Sequence, residues 1–149
     1  MKNFSTLCLG NRVLVSGEVL DVPGYEEGVI SGITKEEVDI IHRPTRKTYK
    51  CRLDQIETIG LDNMILTSLG FTERVLTDSR GITTEDKIKS SEPKNPGDIW
   101  YLISLKETKR GFFLSVLENG IEVLGTGYPK TLNQLQNMVR HITDEKYEI

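Results

Sequence analysis

A chain of 149 residues with 37% hydrophobic and 28% charged residues can bury one ordinary core or two small ones, and no apolar run approaches the length of a bilayer span. Nineteen basic against twenty-two acidic residues leave a net charge of −3, which argues against bulk attraction to nucleic acid while leaving local patches open. Two cysteines, Cys8 and Cys51, are too few for a disulfide framework and lack metal-ligand spacing. Residues 1–5 open into no long apolar segment of the secretory kind, so the expected location is the cytoplasm.

In chain order, residues 9–59 read as short strands at 12–15, 19–22, 29–33, 37–41 and 49–53, divided by Ser16-Gly17 and by a turn rich in Pro23, Gly24 and Gly28. In the last of these Tyr49, Cys51 and Leu53 alternate with Lys50 and Arg52, so a period of two gives one apolar and one cationic face. Strands this short bury their faces most readily by curling into a small SH3-like barrel. Residues 61–71 then predict a short helix. Asp62 caps its start, Gly70 takes the left-handed position past its end, and Phe71 folds back on the last turn. Residues 77–98 are polar and turn-rich, which predicts a mobile loop.

Beyond that loop Ile99, Tyr101, Ile103 and Leu105 alternate, and residues 112–117 follow the turn at Lys109-Arg110-Gly111. Asn119-Gly120 before residues 121–124 is the strongest hairpin signal in the chain, because a type I′ turn needs positive φ at both central positions. A three-stranded antiparallel meander is expected, followed by a helix with Thr131 and Gln134 as a capping box. Leu132, Leu135, Val139 and Ile142 form the stripe that packs this helix on the meander. The fold class is therefore α+β, with an SH3-like β-barrel over residues 1–60 and a second module over 61–149. No internal repeat is present.

Several short motifs carry a resemblance. The helix ending in Leu69-Gly70-Phe71, the aromatic strand near Trp100-Tyr101, the terminal helix with Leu135-Gln136-Asn137 and the early turn Gly10-Asn11-Arg12 are together similar to a group of small uncharacterised proteins carried by phages and mobile elements of Bacteroidetes. The sequence departs from that pattern at Met138, where an aromatic is usual, and at Asn133, where histidine is frequent. The resemblance implies a phage or prophage setting in a bacterial host, with the virion as a second location, and transfers no catalytic residue.

The most unusual charge feature is residues 43–52, in which Arg43, Arg46, Lys47, Lys50 and Arg52 accompany Tyr49 with no acid. On a hairpin this set can meet phosphates or an acidic protein surface. The plainer account is a solvated hairpin balanced by Glu36, Glu37 and Asp39 on the neighbouring strand. His42 and His141 have no local partner set, so neither a metal nor any other cofactor is expected. The paired acids Glu26-Glu27 and Glu36-Glu37 fall in turns with nothing local to separate their pKa values. Gly125-Thr126-Gly127 before the last helix can offer N–H groups to an anion, although glycine there more simply serves the connection. Trp100, Phe112 and Phe113 read as core, but adjacent phenylalanines in one strand must point to opposite faces, which leaves one for an interface.

With no nucleophile elbow, phosphate-binding loop or metal set, an enzyme is not expected. The expected function is a non-enzymatic phage or prophage accessory protein that binds a protein partner, antagonism of a host defence factor falling within that scope. The alternatives are a structural or assembly part of the virion, and a small nucleic-acid binder using the basic hairpin.

Overall fold

The computed structural model describes residues 7–77, 79–90, 97, 99–119, 121–122, 127–144 and 146–149. The turn expected at 91–96, Gly120 of the Asn-Gly pair, and Gly125 and Thr126 all lie outside them, as does the start of the chain at 1–5. The fold is α+β: two five-stranded antiparallel sheets and a C-terminal helix. The chain divides into two compact units. One runs to Gly60 and takes in Thr131–Asn137, and the other comprises Leu61–Lys130 with Met138–Ile149.

In the first unit, strands β1 (Arg12–Ser16), β2 (Tyr25–Ile33), β3 (Glu37–His42), β4 (Thr48–Arg52) and β5 (Ile56–Thr58) stand in the order β4-β3-β2-β1-β5. Among the described residues both β4 and β5 are edges of this sheet, so hydrogen bonding does not close it into a barrel. Alternation builds the core: Val13 and Val15 of β1, Ile30 of β2, Val38 and Ile40 of β3, Cys51 and Ile56 are all buried in one cluster. Each such aliphatic side chain contributes roughly 1.5–3 kcal/mol on removal from water. Gly28 leaves room for two of them, since a Cβ there would stand 2.3 Å from Ile40 Cγ2 and 3.1 Å from Val15 Cγ2.

Residues 19–22, expected as a strand, instead form the end of a one-turn helix, α1 (Gly17–Leu20), and the turn that follows it. Ser16 caps it by accepting a hydrogen bond from Glu18 N at 3.3 Å. Asp21 ends it in the left-handed region at φ 57°, and Gly17 N donates to Gly24 O at 2.6 Å. Local side-chain capping and a backbone turn thus outcompete the β preference of Val19 and Val22.

This unit is completed from the far end of the sequence. Helix α3 (Leu132–Ile142) begins where Leu132 N donates to Ile59 O at 2.8 Å and Gly60 bridges to Thr131. Gln134 N reaches the Thr131 hydroxyl at 3.4 Å, the cap that the Thr131 and Gln134 spacing predicts. Asn11, fully buried, accepts from Cys8 N at 2.7 Å and donates to Asn137 Oδ1 at 2.8 Å. Gln136 accepts from Arg12 N at 3.0 Å and donates to Gly10 O at 3.4 Å. The Gly10-Asn11-Arg12 and Gln136-Asn137 segments are therefore the two sides of one polar junction.

In the second unit, helix α2 (Asn63–Ser68) is capped by Asp62, whose Oδ1 accepts from Ile65 N at 2.8 Å. Its end has the predicted form. Gly70 has φ 90°, Gly70 N donates to Thr67 O at 3.0 Å, and Phe71 N donates to Leu66 O at 3.0 Å, with Leu66 and Phe71 both buried. These are the two bonds of a Schellman motif.

The sheet of this unit runs β10-β9-β8-β7-β6, from strands β6 (Thr72–Thr77), β7 (Thr83–Ser90), β8 (Tyr101–Thr108), β9 (Gly111–Glu118) and β10 (Ile121–Glu122). The polar stretch read as a mobile loop from 77 onward thus contains a full strand, β7, paired on both sides. Its apolar content is too low to show an alternation. Cross-strand ion pairs hold it instead, with Glu73 opposite Lys87 and Arg74 opposite Asp86 in register. The meander therefore has five strands. Tyr101, Ile103, Leu105, Leu114 and Val116 supply its buried face, and Tyr101 stacks on Tyr147 with ring centres 6.0 Å apart. Among the described residues no helix is long and apolar enough to cross a membrane.

Candidate interaction site

The basic segment lies on the β3–β4 hairpin, and the pairing register places each cation. Lys50 stands opposite Asp39 and Arg52 opposite Glu37. Three of the five cations are ion-paired: Arg43 with Glu27 at 3.1 Å, Lys50 with Glu37 at 3.8 Å, and Arg52 with Asp54 at 3.1 Å. Of the acids expected to balance the hairpin, only Glu37 does so by direct contact among these pairs. Such exposed pairs contribute little each. Arg46 and Lys47 occupy the turn, both exposed, and neither has an ion pair among the described residues. Arg46 sits in the left-handed region at φ 58°, where its N–H donates to His42 O at 2.7 Å. A side chain with a Cβ is held there at a cost of about 1 kcal/mol that glycine would avoid.

Tyr49 is not free to stack on a ligand. It packs against the core cluster and meets the His42 ring edge-on at 6.2 Å. His42 has the same inward parity as Val38 and Ile40, and it is 4% exposed. No partner set is expected for His42 from the sequence, but the structure supplies one local partner and one from β2. Glu26 lies in β2, two residues along from Gly28, which pairs with His42. That offset brings Glu26 Oε2 to 2.5 Å from His42 Nε2, while Thr45 Oγ1 lies 2.8 Å from Nδ1. Glu26 and Glu27 are thus strand residues and not turn residues, and their side chains serve opposite faces. Glu26 is on the histidine side, and Glu27 binds Arg12 and Arg43.

Burial alone would raise the Glu27 carboxyl, but the hydrogen bond and charge of Arg12, with the charge and hydrogen bond of Arg43, outweigh it and hold the group below the usual carboxylate range. A depressed native value means that Glu27 stabilises the fold fully above the ordinary range and that this contribution fades as pH falls through the native value. Glu27→Gln should therefore be less stable than the parent chain at pH 7, and the gap should narrow as the pH falls below about 4.5 in urea titrations. A constant gap down to pH 2 would contradict the assignment.

The aromatic candidates stand elsewhere. Phe112 and Phe113 are half-buried in β9 opposite Glu107 and Lys106, and Phe113 lies against Tyr128 with ring centres 5.2 Å apart. Trp100, also half-buried, exchanges hydrogen bonds with Asn119: its N–H donates to Asn119 Oδ1 at 3.1 Å, and Asn119 N donates to its carbonyl at 3.0 Å. The exposed apolar side chains of the second unit are others, Ile121, Val75, Ile82 and Met64 among them. Cys51 is buried, and burial together with Asp39 pushes its thiol up, which makes it a poor nucleophile. Among the described residues no three His, Cys, Asp or Glu side chains gather as a metal site requires. No protein-family model matches the chain, and neither a curated protein nor a solved structure similar to it is found.

Proposed function

We propose that the chain is a non-enzymatic accessory protein of a phage or prophage that works by docking on a protein partner, with the β3–β4 hairpin as its contact element. A host defence factor is the class of partner this setting favours. The observation that carries the reading is the turn itself. Arg46 is held in a left-handed conformation, exposed beside Lys47, with its backbone fixed by His42, and strained exposed residues concentrate at functional surfaces. A protein partner is favoured over nucleic acid because the other three cations already face acids. Two phosphate contacts would give a slope of only about −2 in log affinity against log salt. The same reading takes the first unit as an SH3-like module. Its strand order, the 3-10 turn Leu53–Gln55 between β4 and β5, and the register shift in β2 between Ile30 and Gly32 support this.

The test is capture from phage-infected host cells with the tagged full chain and, in parallel, with Arg46→Glu/Lys47→Glu, both checked for unchanged circular dichroism. Retention of one host protein by the parent and at least tenfold loss (about 1.4 kcal/mol) in the variant is expected. Equal retention by both would overturn the assignment of the turn. Capture of nucleic acid alone, or stoichiometric presence of the chain in purified particles, would replace the docking reading with one of its alternatives.

A further inference from the structure

We propose that Thr45 is an activated hydroxyl, a site at the tip of the β3–β4 hairpin that takes up an acyl group from an activated ester. Three side chains carry this. Thr45 Oγ1, His42 and Glu26 form an unbroken chain of hydrogen bonds of 2.8 Å at Nδ1 and 2.5 Å at Nε2. They have the connectivity of a nucleophile, a base and a group that orients the base. The carboxylate fixes the tautomer, because it can only accept. The ring hydrogen therefore sits on Nε2, and Nδ1 turns its lone pair to the threonine hydroxyl.

The ring cannot swing away from this task. It is buried, it lies edge-on to Tyr49, and its own backbone closes the turn, with His42 N donating to Lys47 O at 2.8 Å. Thr45, by contrast, is exposed on the solvent side of the same turn, so a reagent can reach it while its base stays dry. Ordinary turn architecture requires a hydroxyl at this position only to accept a backbone hydrogen, as it does weakly from Lys47 N at 3.4 Å. A buried imidazole backed by a carboxylate is more than such a turn needs.

The step balances without a co-reactant. Thr45 Oγ1 attacks the ester carbonyl carbon as its proton passes to His42 Nδ1, and Glu26 stabilises the imidazolium so formed. The tetrahedral adduct collapses by breaking the bond to the leaving oxygen or sulfur, which takes the proton from Nδ1. An acyl-threonine and a free alcohol or thiol result, with nothing oxidised or reduced. Arg46 and Lys47, which follow Thr45 in the turn and are exposed, add positive charge to the region in which the oxyanion develops. Thr45 is the nucleophile, His42 the general base, and Glu26 a positioning residue. The inference goes beyond docking and stands independently of it, since it needs only one acylation per chain.

The test treats the intact chain with p-nitrophenyl acetate and maps acetylation by peptide mass, using hydroxylamine to separate a labile threonine ester from a stable lysine amide at Lys47. Thr48 and Thr58, exposed threonines of the same unit, serve as comparators inside the same molecule. Thr45 should acetylate about 100-fold faster than either, the scale of general-base assistance. His42→Gln should bring Thr45 down to their rate, and Thr45→Ser should keep the advantage. Glu26→Gln should slow labelling at Thr45 while leaving Thr48 and Thr58 unchanged, and the conservative Glu26→Asp should restore part of the rate, which a merely structural carboxylate would not do. A Thr45 rate equal to those of Thr48 and Thr58 would overturn the proposal, and this comparison needs no variant to fold. Label confined to the hydroxylamine-stable Lys47 amide would overturn it equally.

Discussion

Replacing Gly17 with alanine is expected to lower the unfolding free energy by about 3 kcal/mol, at the upper end of ordinary overpacking. The new Cβ would stand 1.9 Å from the Val22 carbonyl oxygen and 2.6 Å from that of Gly24. Both are backbone atoms of the turn that α1 closes, and neither can rotate away as a side chain could. Gly24→Ala is the control. It has φ 79° and open space around its Cβ position, so only backbone strain of about 1 kcal/mol applies. Urea unfolding of the two variants should show the larger midpoint shift for Gly17→Ala. A loss at Gly17 no greater than at Gly24 would mean that the turn yields, and the account of α1 would be wrong.

The second large effect is expected at Asn11. Leucine fills a similar volume but removes the acceptor for Cys8 N and the donor to Asn137 Oδ1. A buried backbone N–H left without its partner costs about 1–3 kcal/mol, and the half-buried Cys8 N–H falls toward the lower end. With the lost bond to Asn137 added, Asn11→Leu should lose about 2–3 kcal/mol in total. Asn137→Ala, at a half-buried position, should lose about 1 kcal/mol. Because the two side chains touch, the double variant should fall short of the sum by about 1 kcal/mol. Strict additivity would show that the junction between Asn11 and Asn137 contributes nothing in solution.

What the sequence disclosed follows from the range of the signals involved. Alternation at Tyr49/Cys51/Leu53 marked a strand whose apolar face the core cluster bears out, short apolar runs between turn residues marked the strands that hold Val13, Val15, Val38 and Ile40, and Asp62 and Gly70 bracketed α2 through local capping chemistry. β7 was hidden because charged residues fill it and its stabilisation comes from partners on β6. The cluster at His42 was hidden for a related reason. Its carboxylate is sixteen positions away, and only the pairing of Gly28 with His42 brings Glu26 within reach. One clue was legible: His42 shares the parity of Val38 and Ile40, so an inward imidazole needing a partner was foreseeable. The junction at Asn11 and Gln136 spans a sequence separation of about 125 positions, beyond any local pattern, although both segments stood out as motifs.

That separation has a bearing on how the chain is made. The strands up to Gly60 emerge from the ribosome long before Gln136 and Asn137 do, and at ordinary elongation rates the wait is on the order of ten seconds. Throughout that interval the Asn11 amide and the Arg12 N–H lack the late residues that later hold them. The nascent strands thus lack two of their polar partners until Asn137 has been added, and a product ending at Gly60 would go without that fastening.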